Sequence, residues 1–139
     1  MRQEAGQTMQ IHQSAEDYLE TILMLSQRMG KVRSIDVVNE LGFTKASVSI
    51  AMKKLRENGY IAVDGEGNLT LLEPGLEIAQ RIYSRHQLLT HFFVQLGVDE
   101  QTAAEDACKA EHILSEQTLE KIREYALLHD AESTLKKED

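Results

Sequence analysis

Residues 34–72 read SIDVVNELGFTKASVSIAMKKLRENGYIAVDGEGNLTLL, and the fold is decided there. Ile35, Val38 and Leu41 recur at helical spacing, which predicts a helix that follows Ser34 and stops at Gly42. The Thr44 hydroxyl can accept one of the N–H groups left open at a helix start, so Thr44 reads as the cap of the next helix. Val48, Met52 and Leu55 form that helix's inner face, and Asn58-Gly59 closes it. Two short helices around a glycine-containing turn make a helix-turn-helix. Tyr60 to Val63 and Leu69 to Leu72 are β-prone runs on either side of a turn with Gly65 and Gly67, the pattern of a hairpin. A hairpin directly after a helix-turn-helix is a winged helix.

Upstream, Ser14 is a suitable cap for a first helix with Tyr18, Leu19, Ile22, Leu23 and Leu25 on one side, ending near Gly30. Residues 1–13 are polar and lack periodicity, which predicts a flexible arm. Downstream, Pro74 opens a long helix at its favoured first position and Gly97 stops it. Asp99 and Ser115 cap two further helices, the last with Leu119, Ile122, Tyr125 and Ala126 as apolar positions and fraying after about His129. The expected fold class is mainly α with a small β-hairpin wing. The expected division is an arm over 1–13, a winged helix-turn-helix over 14–73 and a helical domain over 74–139.

The chain has 139 residues, one proline and a net charge of −8. Its charge is unevenly spread. Arg28, Lys31, Arg33, Lys45, Lys53, Lys54 and Arg56 face only Asp36, Glu40 and Glu57 between residues 28 and 61, on an otherwise acidic chain. A local basic patch on an acidic body is the footprint of a DNA-binding module attached to something else. A single cysteine excludes a disulfide framework and fits a reduced, cytoplasmic setting. No apolar run is long enough to span a membrane, and no signal-peptide core is present.

Within the reading helix the outward residues are Thr44, Lys45, Ala46, Ser47 and Ser49. Small side chains let a helix sit deep in the major groove, and hydroxyls can meet base edges or phosphates. Lys53, Lys54 and Arg56 continue the charged side and would neutralise phosphates. The plainer reading is a solvated basic helix, or a winged helix that binds protein.

A second constellation lies in Cys108, Glu111 and His112, which leave one helix face at i, i+3 and i+4. A thiolate, a carboxylate and an imidazole converging on one point can hold a divalent transition metal. Asp17 and Glu20, at i and i+3 on the first helix, and His86 on the long helix are further candidate ligands. Each has a plain alternative. Asp17 can favour a helix N-terminus, Glu20 can be solvated, and His86 lies near the apolar stripe, where a hydrogen-bonded core histidine is common. Burying several carboxylates without a cation would be costly.

Taken together, AEDYLETI (15–22), the winged helix-turn-helix, RHQLL (85–89), GVDE (97–100) and CKAEHILS (108–115) resemble the diphtheria toxin repressor and manganese transport regulator family of bacterial metal-dependent repressors. The resemblance implies a homodimer that binds a pseudo-palindromic double-stranded operator when loaded with Mn2+ or Fe2+, each winged helix reading one half-site. It implies repression of metal-uptake genes, a metal-binding and dimerisation role for residues 74–139, and Asp17, Glu20, His86, Glu111 and His112 as ligands. The length resembles the shorter manganese-regulator form. Cys108 departs from that form, which has a glutamate there. Iron-sensing members have the cysteine but a methionine where this chain has Asp17. Ala104 and Thr90 replace a His and a Glu of the iron sensors' ancillary site. Asp17, a hard oxygen donor, suits Mn2+ or Fe2+, whereas Cys108 favours Fe2+, Co2+ or Zn2+. Mn2+ is the expected effector, with Fe2+ as the alternative and Zn2+ or Co2+ binding in vitro.

Two other functions are weighed against this. A metalloenzyme needs an open coordination position and a base not consumed by the metal. No such separate group is present, so the chain is expected not to be an enzyme. The other is a winged-helix regulator that responds to another ligand or protein, with a structural cluster; operator binding indifferent to metal would favour it.

Overall fold

Helix α1 (Arg2–Met29) opens the chain in the computed structural model, which describes the backbone of residues 2–138 and the side chains of residues 14–132. It begins well before the expected start at Ser14. Residues 2–13 hold no proline, and Arg, Gln, Glu and Ala are good helix formers. Asp17 therefore lies inside the helix, and the reading of it as an N-terminal charge loses its basis. The side chains of the expected arm lie outside the described residues.

The chain divides into two units, Met1–Arg81 and Ile82–Asp139. In the first, α1 is followed by β1 (Val32–Arg33), α2 (Ser34–Leu41), α3 (Lys45–Glu57), β2 (Ile61–Val63), β3 (Asn68–Leu71) and the first turns of α4 (Glu73–Gln95). The hairpin is joined by a third strand that the sequence did not announce. The antiparallel sheet has the order β1-β3-β2, with Val32 opposite Leu69 and Ala62 opposite Thr70. Two residues are too few to show periodicity, so β1 is defined by its partner rather than by its own pattern.

Helix α1 packs on α2, α3 and β3, with Leu19, Ile22, Val37, Val48, Ile61 and Leu69 among the buried side chains. Of the expected inner face of α2, Val38 and Leu41 are half-buried but Ile35 is 43% exposed, and Val37 is the fully buried residue. Arg33 is the N-cap, one residue before the expected Ser34, and its N–H donates to Asp36 Oδ2 at 2.9 Å. Thr44 caps α3 as expected, its Oγ1 accepting from Ser47 N at 3.1 Å. The start of α4 is pressed against β2: a Cβ on Gly75 would lie 2.2 Å from the Tyr60 carbonyl oxygen.

In the second unit the remainder of α4 packs with α5 (Glu100–Ala110) and α6 (Glu116–Glu138) around Leu89, Ala107 and Leu119. Asp99 Oδ1 accepts from Thr102 N at 3.2 Å, and Ser115 Oγ from Thr118 N at 3.1 Å. Both expected caps are in place. Helix α6 continues past His129 to Glu138, with Tyr125, Leu127 and Leu128 exposed. Among the described residues no helix is long and apolar enough to cross a membrane.

Candidate metal centre and DNA interface

Helix α3 buries Val48, Met52 and Leu55 and leaves Lys45, Ala46, Ser47, Ser49, Lys53, Lys54 and Arg56 exposed. Thr44 is also exposed. Its hydroxyl donates to Ser47 Oγ at 2.9 Å, so the two hydroxyls at the head of the helix are tied together. The sequence reading passed over two apolar side chains beside them. Ile50 is exposed on α3, and Phe43, just before the cap, packs its ring edge-on against Tyr18 at 6.0 Å between centroids. Burial pushes the Tyr18 phenol above its usual range, and the neighbouring Asp17 charge adds to this. Arg28 pairs with Glu40 at 3.0 Å, so its charge is partly offset within the patch.

At the wing tip, Asp64 Oδ1 accepts from the backbone N–H of Glu66 at 2.9 Å and of Asn68 at 2.8 Å, while Asn68 Nδ2 donates to Oδ2. These bonds, those from Asn68 first, hold the Asp64 carboxyl below the usual carboxylate range. The same bonds fix the turn, with Gly67 at φ 84° beside the Arg33 guanidinium.

In the second unit Glu111 is fully buried between two imidazoles. Its Oε2 is 3.1 Å from His86 Nδ1 and its Oε1 is 3.5 Å from His112 Nε2. The His112 side chain is 3% exposed and that of His86 19%. Glu111 Oε1 has no hydrogen-bond donor among the described residues. A buried carboxylate with two nitrogen donors at hand fits a divalent cation, whose charge would offset the cost of burying it. Glu111 and His112 do not lie on α5 proper. The helix ends at Ala110, Glu111 is its C-cap at φ −59° and ψ −24°, and residues 111–113 form a turn. That turn carries Glu111 and His112 inward, while Cys108 stays exposed on the helix. In the first unit, Asp17 and Glu20 lie one turn apart on α1, Glu20 buried and Asp17 half-buried.

Residues 10–69 match the model of the iron dependent repressor N-terminal DNA binding domain, and residues 72–128 that of the iron dependent repressor metal binding and dimerisation domain. The chain belongs to the iron dependent repressor family. Among its relatives, an uncharacterised helix-turn-helix-type transcriptional regulator of Methanocaldococcus jannaschii is 37% identical over 113 residues, covering 80% of this chain and 90% of that one. The transcriptional regulator MntR of Bacillus velezensis is 32% identical over 125 residues, covering 90% and 88%. Among solved structures, a manganese-dependent transcriptional repressor in complex with manganese is similar at a TM-score of 0.73 and 28% identity, over 81% of this chain and 52% of that one. The chain thus spans about half the length of the solved structure it matches.

Family membership makes this repressor-family chain a metal-dependent, DNA-binding regulator of transcription and not an enzyme. Its winged helix is the DNA-binding part, and its helical domain holds a divalent metal and forms the homodimer.

Proposed function

We propose that this regulator is a Mn2+-responsive repressor whose metal is held by Asp17, Glu20, His86, Glu111 and His112. The observation that carries the reading is Glu111, a fully buried carboxylate flanked by two imidazoles. The resemblance adds Asp17 and Glu20 from α1. Asp17, Glu20 and Glu111 make hard oxygen donors the larger part of the set, with the two imidazoles beside them, which suits Mn2+, with Fe2+ next. Binding of the cation supplies positive charge among these carboxylates, and the rest of the switch belongs to the chain.

Helix α1 carries two of the proposed ligands and packs on α2 and α3. Tyr18, next to Asp17, touches Phe43, next to the α3 cap Thr44. Holding the ligand face of α1 therefore restrains the start of the reading helix. In a homodimer, two such helices would read the half-sites of a pseudo-palindromic operator. By the same resemblance, the controlled genes serve uptake of the sensed metal.

The test is anaerobic titration of Mn2+, Fe2+ and Zn2+ into metal-free protein, with Asp17→Ala and His112→Ala in parallel. Mn2+ binding that each substitution weakens strongly supports the reading. Mn2+ affinity unchanged by both removes these residues from the ligand set.

A further inference from the structure

Two consecutive residues of α4 reach the same glutamate. His86 Nδ1 meets the Glu111 carboxylate at 3.1 Å, while Arg85 Nη1 donates to the Glu111 backbone carbonyl at 3.3 Å. That carbonyl lies past the end of α5, where the helix supplies no N–H to it. The other guanidinium nitrogen of Arg85 pairs with Glu116, the first residue of α6. Arg85 is an unusual surface charge, since its side chain is only 15% exposed whereas Glu116 is 81% exposed.

Between α5 and α6 the chain makes a short turn without a regular ladder. Its own bonds are few: Glu111 N to Ala107 O at 3.0 Å, Ile113 N to Ala110 O at 3.1 Å and Leu114 N to Ala110 O at 3.3 Å. None of these holds the Glu111 carbonyl. Two buried side chains proposed as ligands, Glu111 and His112, hang from this turn, so their positions depend on how it is pinned. A guanidinium is suited to the task, because its rigid fork reaches two acceptors at once and its charge favours a helix C-terminus.

We infer that Arg85 is a positioning residue for the metal centre: it fixes the backbone of Glu111 so that the Glu111 carboxylate and the His112 imidazole are presented to the cation beside His86. This rests on the ligand assignment above and adds to it a residue that donates no ligand atom.

The test uses the full chain with Arg85→Gln, Arg85→Lys and Glu116→Gln. Three readouts are taken: Mn2+ affinity, thermal melting of metal-free protein, and amide exchange of Ile113 to Ser115 without metal. Arg85→Gln should weaken Mn2+ binding about 10-fold, as loss of a partner that orients a ligand does. It should also speed amide exchange in the turn. Arg85→Lys, which keeps the charge and one donor, should recover part of the affinity. Glu116→Gln should lose less than Arg85→Gln. If Arg85→Gln melts earlier but binds Mn2+ as the parent does, Arg85 is a stability residue only and the inference is overturned. Should Arg85→Gln not fold, Arg85→Lys and Glu116→Gln decide, and parental exchange and affinity in both overturn it. A parent protein that binds no Mn2+ overturns the ligand assignment itself, which the variant comparison alone does not.

Discussion

Gly75→Ala is a substitution for which helix propensity and packing give opposite signs. Gly75 lies in the first turn of α4, where alanine is favoured over glycine by up to about 1 kcal/mol on helix propensity alone. The added methyl, however, would sit 2.2 Å from the Tyr60 carbonyl oxygen and 3.3 Å from a Leu19 methyl. The first of these neighbours is backbone and cannot rotate away. That oxygen already accepts from Leu72 N at 2.9 Å, the bond that leads β3 into α4. Relieving the clash costs about 1–3 kcal/mol for overpacking. Weakening the Leu72 bond adds about 1 kcal/mol. The net expectation is a loss of about 2 kcal/mol, packing outweighing propensity. Urea unfolding of the metal-free protein measures it directly, and thermal melting should fall by about 5–8 °C. An alanine variant as stable as the parent would refute the close approach of α4 to the Tyr60 carbonyl.

Three further outcomes follow from the sites. Lys53→Ala removes an exposed charge from the reading helix; DNA affinity should fall and the salt slope should drop by about one ion, with Mn2+ affinity unchanged, as salt-dependent anisotropy would show. Cys108→Ser should leave Mn2+ affinity within about two-fold, whereas a loss of about 10-fold or more would return the thiol to the ligand set. The Asp64 carboxyl has a lowered pKa in the folded wing, so the order it gives the turn is present above the ordinary carboxylate range and is lost as pH falls through the lowered value. The amide resonances of Glu66 and Asn68 should follow that transition, and in Asp64→Asn they should not titrate.

Much of the DNA-reading module was legible because its punctuation is local. Gly42, Thr44 and Asn58-Gly59 mark α2 and α3 by their own chemistry, and the glycines of residues 64–68 mark the wing. The strand at Val32–Arg33 escaped because it exists only through pairing with β3. On α2 the expected Val38 and Leu41 are half-buried but Ile35 is exposed and Val37 is buried, because packing on α1 and α3, not the helix's own pattern, decides which side of so short a helix turns inward. At the metal centre, the residue types were legible but their directions were not. The spacing of Cys108, Glu111 and His112 suggested one helix face, yet α5 ends between Cys108 and Glu111, and the Glu111 and His112 side chains are buried while Cys108 is exposed. Arg85 left no signal, because an arginine within an amphipathic helix reads as solvated until its acceptors are seen.

The most direct test of the central claim is fluorescence anisotropy of a labelled duplex from the protein's own upstream region, with Mn2+ titrated anaerobically and then removed by a chelator. Metal-dependent repression predicts that DNA binding appears with Mn2+, disappears on chelation, and never appears in Glu111→Gln. Equal DNA affinity with Mn2+, with chelator and in Glu111→Gln would contradict it, leaving a winged helix whose buried glutamate and histidines serve structure alone.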